Sequence, residues 1–248
     1  MNIKIGAQEY DMESGDNYII DGQDFEPDMI KLIDEVVKPG AVVYDIGANV
    51  GCMSIALSKR AKIVHSFEPS PITVEYLKRN ITESGIKNIC VHSFGIGESF
   101  KATSLTYSKH DRSGAFISDI SEADAGHEKD LVIVEGIDTL LLFGLSAPDF
   151  IKIDVEGYEL NILRGARKTI KEYKPTAIIE MNSWCLNVFQ RTALPNFIDE
   201  ILSIFPEVYA IDGEERINLH DSDKVYHVMR GNILHNKYRN LLCGWGEL

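Results

Sequence analysis

The chain has 248 residues, of which 44% are hydrophobic and 25% are charged, and this is the composition of a folded globular protein. Lys and Arg number 25 against 38 Asp and Glu, so the formal net charge is −13. That charge argues against nonspecific binding to DNA or RNA, which needs a cationic surface, and it suits a cationic ligand.

Strand-like and helix-like segments alternate along most of the chain. The first 25 residues mix short β-like pieces with turn residues and predict a cap or a small hairpin. From Glu26, apolar residues at helical spacing follow Pro27 and predict a helix that ends at Pro39–Gly40. The further predicted strands are 41–46, 62–68, 88–94, 149–155, 175–181 and a late one at 224–230, and the further predicted helices are 52–60, 71–85, 157–173 and 194–205.

This alternation predicts an α/β fold with a doubly wound, mostly parallel Rossmann-like sheet, helices on both faces and a late antiparallel strand. Because no linker is evident, we expect one domain over residues 1–248. In such sheets ligands bind outside the carboxyl ends of the strands, where the strand order reverses. Residues 107–130 are polar without helical periodicity, and we interpret them as a long loop that contacts the substrate.

The segment "VVYDIGANVG", residues 42–51, predicts a strand that turns through glycines into a helix, as in nucleotide sites. It carries Asp45, Gly47 and Gly51 but lacks the three-glycine spacing of the dinucleotide fingerprint. Glu68 ends the next predicted strand, 23 residues after Asp45, where a carboxylate accepts hydrogen bonds from both ribose hydroxyls. The pattern therefore indicates a site for an adenosine-like ribose.

Asp45 favours S-adenosylmethionine over a dinucleotide. A carboxylate at this turn repels the pyrophosphate that a helix N-terminus binds, whereas it suits the ammonium group of S-adenosylmethionine. We expect free backbone N–H groups in residues 47–51 to bind the carboxylate of that cofactor, and no P-loop is present. Three alternatives stay open: a glycine turn that only packs helix on strand, an NAD(P)-dependent oxidoreductase, and a non-catalytic binding module on the same fold.

Polar side chains also end two later strands. Lys152 and Asp154 share one face of a strand, Glu156 follows where a helix begins, and Glu180 and Asn182 end the next strand. If the strands are neighbours, these five side chains converge at the cofactor edge of the sheet. The simpler interpretation is that Glu156 caps the helix and that Lys152 balances the carboxylates, since a buried lysine needs a partner.

Four segments together resemble the FkbM family of S-adenosylmethionine-dependent methyltransferases, over about residues 25–235: "VVYDIGANVGCMSIALSK", "FEPSPITVEYLKRNI", "PDFIKIDVEGYELNILRGA" and "PTAIIEMN". The resemblance implies the class I methyltransferase fold and S-adenosylmethionine as cofactor. It implies that the methionine part lies on the glycine turn, the ribose on Glu68, the adenine near Ser70 and residues 93–95, and the sulfonium or acceptor near Asp154. The implied cofactor-binding residues are Asp45, Gly47, Ala48, Asn49, Gly51, Glu68, Pro69, Ser70, Gly95 and Asp154.

The chain departs from the family pattern in two places. Residues 95–98, "GIGE", stand where the family usually has Ala-Leu before polar residues, which affects the adenine contact. Tyr158 stands where a small residue is common, which narrows the acceptor pocket or adds a hydroxyl to it.

The family implies O-methylation of a hydroxyl on a sugar, a glycan or a small natural product. A hydroxyl needs a base or a metal ion to lose its proton. Asp154 is the first candidate base, and His110 in the polar segment and Glu180 are the other candidate catalytic residues. Alternatively, Asp154, Glu180 and Asn182 supply the oxygen ligands that Mg²⁺ takes. Trp184 and Tyr158 either stack on a sugar face or pack in the core.

Composition also predicts compartment and partners. The four cysteines have no zinc or redox spacing, and Cys52 and Cys90 lie in apolar runs, so we expect buried free thiols in a reducing cytoplasm. We expect no transmembrane segment, no nucleic-acid partner and no metal set among the histidines. The apolar C-terminal "LLCGWGEL" is suited to dock on the domain or on a second subunit in a homodimer.

Overall fold

The computed structural model describes residues 1–119 and 126–246. The strands in these ranges are β1 (Asn2–Ile5), β2 (Gln8–Asp11), β3 (Gln23–Asp24), β4 (Val42–Ile46), β5 (Ile63–Phe67), β6 (Ile89–His92), β7 (Gly95–Ile96), β8 (Lys101–Ser108), β9 (Asp111–Ile117), β10 (His127–Glu135), β11 (Phe150–Ile153), β12 (Thr176–Glu180), β13 (Glu207–Asp212), β14 (Glu215–Asn218) and β15 (Asn240–Gly244). The helices are α1 (Pro27–Val36), α2 (Cys52–Ser58), α3 (Pro71–Ser84), α4 (Ile137–Leu142), α5 (Glu159–Gly165), α6 (Arg167–Tyr173), α7 (Ser183–Gln190), α8 (Leu194–Ile204) and α9 (Ser222–His235).

The central sheet has the strand order β14-β13-β15-β12-β11-β4-β5-β6. The five strands from β12 to β6 are parallel, whereas β15 runs antiparallel to both β12 and β13. The α/β class, the mostly parallel sheet and the late antiparallel strand are therefore confirmed. The strand order reverses between β4 and β11, and this is the point where open α/β sheets bind ligands.

Apolar side chains fill both faces of this sheet because neighbouring residues of a strand point to opposite sides. Val43 and Phe150 belong to a buried cluster with residues of α1 and α2. Tyr44 and Ile151 belong to a second cluster, which includes residues of α5, α6 and α8. The helices therefore cover the sheet on two sides, and the polar strand ends are left at its edge.

The chain forms two further sheets within the described ranges, with the orders β2-β1-β3 and β7-β10-β8-β9. The first 24 residues supply β1–β3, and β1 and β2 form an antiparallel pair. Most of the predicted substrate loop, 107–130, belongs to β8, β9 and β10, so its interpretation as a long loop is wrong. An antiparallel sheet with one solvent-exposed face accommodates many polar residues, so the polar composition of this segment concealed its strands. Residues 120–125 of that segment lie outside the described residues.

The predicted late strand 224–230 is wrong, because these residues lie in α9. The buried positions of that helix are Val228, Gly231 and Asn232, which have the spacing of one helix face. The late strand is instead β15, built from the C-terminal segment "NLLCG" between β12 and β13. This segment therefore docks within its own domain.

Several local predictions also change. The helix predicted over 157–173 is divided into α5 and α6. Cys52 is buried, but Cys90 is exposed because it lies on β6, the edge strand of the central sheet. In the ranges that the structure describes, no helix combines the length and the apolar character that a membrane crossing requires.

Candidate functional site

A cavity of about 600 Å³ lies at the carboxyl ends of β4, β5, β11 and β12. Its lining includes the turn after β4, the residues after β5 and the residues after β11. The segment before α1, strand β9 and residues next to β15 complete the lining. Its volume and its position are those of a small-molecule site in an open α/β sheet.

The glycine turn contacts the end of β11 directly. Gly47 has a φ of 84°, and a Cβ at this position would lie 1.8 Å from the backbone oxygen of Asp154. Only glycine fits this close approach of two backbones. Asn49 also has a positive φ, 48°, and Gly47, Ala48, Asn49 and Asp154 all line the cavity. The structure therefore brings the two motifs found in the sequence to one site.

The backbone amides of this turn already have acceptors. Those of Gly47 and Ala48 each donate to the carbonyl oxygen of Phe67 at 3.1 Å. That of Gly51 donates to the carbonyl of Ala48 at 3.0 Å, and that of Asn49 donates to a carboxylate described below. The expectation of free N–H groups at these four positions is wrong.

Glu68 is held rigidly at the end of β5. Its two carboxylate oxygens accept hydrogen bonds from the backbone amides of Asn49, at 3.1 Å, and Ser70, at 2.8 Å. Burial raises the pKa of Glu68 to about 7, although both amides act in the opposite direction. Each oxygen keeps a second acceptor site, so this buried carboxylate on the cavity lining fits a pair of ribose hydroxyls.

The predicted adenine contacts divide into two groups. Pro69 and Gly95 line the cavity, and the apolar side chains of Phe67 and Ile96 line it beside them. The side chain of Ser70 instead caps α3, since its Oγ accepts a hydrogen bond from the Thr73 amide at 3.3 Å. Gly51 also serves packing, because a Cβ there would lie 2.8 Å from Leu77 on α3.

Asp45 lies outside the residues that line the cavity. Its side chain is fully buried and accepts a hydrogen bond from the hydroxyl of Ser54 at 2.5 Å. Burial raises its pKa, whereas Lys152 and Ser54 lower it. The structure therefore makes Asp45 a buried anchor between β4 and α2, and it does not bring this carboxylate to the cavity as the ammonium contact requires.

Three carboxylates meet at the ends of β11 and β12. Oxygen atoms of Asp154, Glu156 and Glu180 lie within 4.8 Å of one another, and all three side chains line the cavity. The predicted convergence is confirmed for them, because the two strands are parallel neighbours. The ammonium of Lys152 lies 2.9 Å from Asp154, and the guanidinium of Arg239 forms an ion pair with Glu180.

The surroundings of Asp154 and Glu180 shift the pKa values of these two carboxyl groups in opposite directions. Burial by itself raises the pKa of Asp154, but the charge of Lys152 and its hydrogen bond outweigh burial and hold the pKa below its usual value. Burial raises the pKa of Glu180 well above its usual value, and the charges of Asp154 and Glu156 add to this rise. The surroundings therefore favour negative charge on Asp154 more than on Glu180.

Glu156 differs from Asp154 and Glu180 in having a backbone in the left-handed region. Its φ is 53°, and a non-glycine residue in this region is commonly found at functional sites. The thiol of Cys185 and the amide of Asn182 donate to its Oε2 at 2.9 and 3.3 Å. Burial raises the pKa of Glu156, and the Cys185 thiol opposes part of this rise. Glu156 is thus a half-buried carboxylate in the cavity with a raised pKa.

The expected capping role of Glu156 is wrong, because α5 has no side-chain hydrogen bond at its N-cap, and Glu159 instead binds the turn before the helix. A carboxylate oxygen of Glu159 accepts hydrogen bonds from the amides of Gly157, at 3.0 Å, and Val155, at 3.4 Å. Its side chain is completely buried, and burial raises its pKa to about 8. Glu159 therefore holds the turn that presents Glu156, and it lies outside the cavity lining.

The predicted magnesium ligands do not fit a metal ion. The Oδ1 of Asn182 accepts a hydrogen bond from the Cys185 amide and caps α7, and its amide group donates to Glu156. Asp154 and Glu180 already have Lys152 and Arg239 as cationic partners. A dication added here would face the two positive charges of Lys152 and Arg239, which disfavour its binding.

Of the remaining candidates from the sequence, Tyr158 lines the cavity, whereas His110 and Trp184 do not. His110 lies in the exposed turn between β8 and β9, outside the cavity lining, so the structure does not bring it to the acceptor side. Trp184 is exposed and packs edge-on against Phe189, also outside the lining.

Two of the histidines, which the sequence left unconnected, lie together with a cysteine in the structure. His65, Cys90 and His92 each offer a ligand atom within 4.8 Å of the others, because β5 and β6 are neighbours. The rings of His65 and His92 share a hydrogen bond of 3.0 Å, and His92 stacks on Phe67. The cluster therefore contributes aromatic packing and a hydrogen bond between β5 and β6.

Five further charged residues line the cavity that motif reasoning did not assign to the site: Glu26, Asp28, Arg112, Asp212 and Arg239. Glu26 has a φ of 37° and begins α1. Arg112 lies on β9, within the segment interpreted as a loop. Arg239 reaches Glu180 because β15 pairs with β12, a contact between residues far apart in sequence.

The chain matches known methyltransferases in sequence. The model of the family described as the methyltransferase FkbM domain matches residues 45–210. A hexuronic acid methyltransferase from Haloferax volcanii is 25% identical over 146 residues, which cover 59% of this chain and 58% of that protein. A ribosomal protein L11 methyltransferase from Caldanaerobacter subterraneus is 29% identical over 73 residues, which cover 29% of this chain and 24% of that protein.

Among solved structures, a methyltransferase FkbM from Methylobacillus flagellatus aligns with a TM-score of 0.47 and 25% identity. The alignment covers 72% of this chain and 45% of that one. The matched regions thus span about half of the Haloferax and Methylobacillus proteins.

Proposed function

This chain belongs to the family of FkbM methyltransferase domains, and from that membership we propose that it transfers the methyl group of S-adenosylmethionine to a hydroxyl group of a sugar, a glycan or a small natural product. The observation that carries this proposal is the contact of Gly47 with Asp154, beside the fixed carboxylate of Glu68, on one cavity. Together they place a hydrogen-bond acceptor for the ribose and a second carboxylate, that of Asp154, on the lining of one cavity.

The cofactor fits the residues present. Glu68 presents oxygen atoms to the ribose, Pro69 and Gly95 with Phe67 offer apolar surface for the adenine, and the glycine turn leaves room for the methionine part. Asp154 keeps its negative charge and suits the positive end of the cofactor. When bound, S-adenosylmethionine supplies an electrophilic methyl group on a sulfonium.

The chain's own contribution is to orient the acceptor and to take its proton. Orientation of reacting groups accounts for a large share of the rate in such transfers. A general base works best when its pKa lies near the working pH. The charge of Lys152 makes Asp154 a weak base, whereas the raised pKa of Glu156 makes it the better proton acceptor. We therefore assign the base role to Glu156 and an electrostatic role to Asp154.

A sugar or small-molecule acceptor is favoured over nucleic acid. The net charge of −13 and the acidic side chains of the cavity repel a phosphate backbone. The Haloferax relative acts, by its name, on a hexuronic acid, and this supports a sugar acceptor.

The first test is a thermal shift with S-adenosylhomocysteine, S-adenosylmethionine and NADH side by side. A ligand at 100 times its Kd stabilises a protein by about 2.7 kcal/mol, which for this chain length is a rise in Tm of roughly 5 to 10 °C. We expect a rise with the two sulfur nucleotides and none with NADH. A rise with NADH alone supports the oxidoreductase alternative and contradicts the proposal.

The second test is turnover with a panel of hydroxyl acceptors, measured as labelled methyl transfer. Transfer to oxygen, identified by mass spectrometry of the product, supports the proposed reaction. Cofactor binding with no transfer to any panel member favours the non-catalytic binding module.

A further inference from the structure

Arg112 is a cation on the cavity lining whose side chain is held in place. Its backbone amide donates to Asp16 at 3.0 Å, which ties β9 to the segment before α1. Its guanidinium carbon lies 5.5 Å from the centre of the Tyr107 ring, a cation–π contact that restricts the side chain. The backbone hydrogen bond and the ring contact together limit the positions that the guanidinium group can take.

The three cationic side chains on the lining differ in their partners. Lys152 is paired with Asp154, and Arg239 is paired with Glu180. Arg112 forms no ion pair with any residue in the described ranges, and its buried Nε has no hydrogen-bond partner there. A buried donor without an acceptor is costly, so this group is suited to receive one from a ligand.

Most of the other charged residues on the lining are acidic, so the position of Arg112 indicates where an anionic group of a ligand can bind. The acidic lining residues are Glu26, Asp28, Glu68, Asp154, Glu156, Glu180 and Asp212. An anionic group entering the cavity is repelled by these side chains and attracted at β9 alone among the described elements, because the other two cations are already paired. Arg112 thus defines one orientation for an anionic ligand.

We propose that Arg112 is the anion subsite of this cavity and binds a carboxylate carried by the acceptor, so that the acceptor is an acidic sugar or another small hydroxy acid. The planar guanidinium matches a carboxylate with two parallel hydrogen bonds. Arg112 and Glu156 line the same cavity, so one molecule can present its carboxylate to Arg112 and a hydroxyl to Glu156. This assignment rests on the proposed methyl transfer, because only that reaction requires an acceptor molecule in the cavity.

A carboxylate also occurs in the cofactor, and the two sources are separated by experiment. The glycine turn lies on the central sheet, whereas Arg112 lies on a different sheet, β7-β10-β8-β9. This separation favours the acceptor as the source. The probes are therefore S-adenosylhomocysteine for the cofactor, and methyl glucuronide against methyl glucoside for the acceptor.

The test compares the wild type with Arg112→Gln, Arg112→Lys and Lys109→Gln. Lys109 lies in the exposed turn of the same hairpin and pairs with Glu128, so its variant repeats the charge change outside the cavity. Binding is measured by calorimetry, first with S-adenosylhomocysteine and then with each sugar added to that complex. Binding of the sugars does not require turnover.

We expect the wild-type complex to bind the glucuronide better than the glucoside, and Arg112→Gln to weaken glucuronide binding about 10- to 100-fold, the range for losing a hydrogen bond between charged groups. Arg112→Lys recovers part of the loss, and Lys109→Gln has no effect. S-adenosylhomocysteine binds all four proteins equally.

Two results overturn the assignment. If Arg112→Gln weakens S-adenosylhomocysteine by the same factor as the glucuronide, the carboxylate belongs to the cofactor. If the wild-type complex does not distinguish the two sugars, or binds neither of them, Arg112 is not an acceptor subsite. Failure of S-adenosylhomocysteine to bind the wild type contradicts the proposed function itself, so the two failures are distinguishable.

Discussion

The ammonium group of Lys152 lies 2.9 Å from a carboxylate oxygen of Asp154, and the two residues come from one buried strand and its end. The ammonium is buried among three carboxylates, Asp154, Asp45 and Glu26, whose charges raise its pKa against the opposing effect of burial. Lys152 thus supplies at this edge the positive charge that a metal ion supplies in other sites.

The first prediction concerns metal dependence. Since Lys152 and Arg239 already pair with Asp154 and Glu180, we expect methyl transfer to be the same in EDTA as in added Mg²⁺. The measurement is the initial rate after extensive chelation, with the metal content checked by mass spectrometry. A rate that falls with EDTA and returns with Mg²⁺ contradicts this interpretation of the cluster.

The second prediction concerns the glycine turn. Gly47→Ala places a Cβ 1.8 Å from the backbone oxygen of Asp154, so the turn and β11 must separate, and we expect loss of S-adenosylhomocysteine binding together with a lower Tm. Gly40→Ala is the matched control, because Gly40 has nearly the same φ, 81°, but has no atom within 4 Å of its Cβ position. Gly40→Ala costs only the backbone strain of an L-residue at positive φ, roughly 1 to 2 kcal/mol. Equal losses of Tm and binding in the two variants argue against the close approach.

The third prediction is a pH dependence of cofactor affinity. Glu68 has a pKa of about 7 in the folded protein, and hydrogen bonds from ribose hydroxyls favour its ionised form. Affinity for S-adenosylhomocysteine is therefore expected to rise between pH 6 and pH 8 and to level off above that range. Calorimetry at several pH values measures this.

Glu68→Gln is expected to bind more weakly and to lose the pH dependence. Glu75→Gln on the exposed side of α3 is the control and keeps it. An unchanged pH profile in Glu68→Gln shows that another group titrates.

The fourth prediction concerns stability. Burial raises the pKa of Glu159 to about 8, so the folded state favours its protonated form. The folded pKa lies above the unfolded value, so stability from this group is full below about pH 4.5 and is lost as the pH rises to about 8. Glu159→Gln keeps an acceptor oxygen without the charge. We expect it to match the wild type near pH 5 and to exceed it at pH 8.5 by a few kcal/mol, on the order of the pKa shift.

Urea denaturation at the two pH values measures this difference. Glu172→Gln, an exposed position on α6, is the control and should change neither value. A variant that differs from the wild type by the same amount at both pH values refutes the role of ionisation.

The fifth prediction separates the two carboxylates assigned to catalysis. If Glu156 takes the proton of the acceptor, the rate falls as the pH drops below the raised pKa of Glu156. Glu156→Gln then lowers kcat about 10²- to 10⁴-fold, with little change in cofactor affinity. Asp154→Asn instead weakens cofactor binding. If kcat falls in Asp154→Asn but not in Glu156→Gln, Asp154 is the general base and the assignment to Glu156 is wrong.

Local patterns predicted the elements that carry the site. The alternation of strands and helices, the turn at Gly47 and the acid at Glu68 all depend on residues close in sequence, and they lie on the same cavity. The positions of Asp154 and Glu180 at the ends of successive strands were enough to predict that they lie close together, because parallel strands bring their carboxyl ends to one edge of the sheet.

Tertiary structure alone decided the rest. The pairing of β15 with β12 brings Arg239 to Glu180, and the β8–β9 hairpin brings Arg112 to the cavity, across separations that no local periodicity encodes. The burial of Asp45 and the partners of Lys152 set which carboxylates are charged, because burial and nearby charge both depend on the packed arrangement. The sequence by itself therefore determined where the candidate site would form, and packing determined which side chains line its cavity and in which direction their pKa values shift.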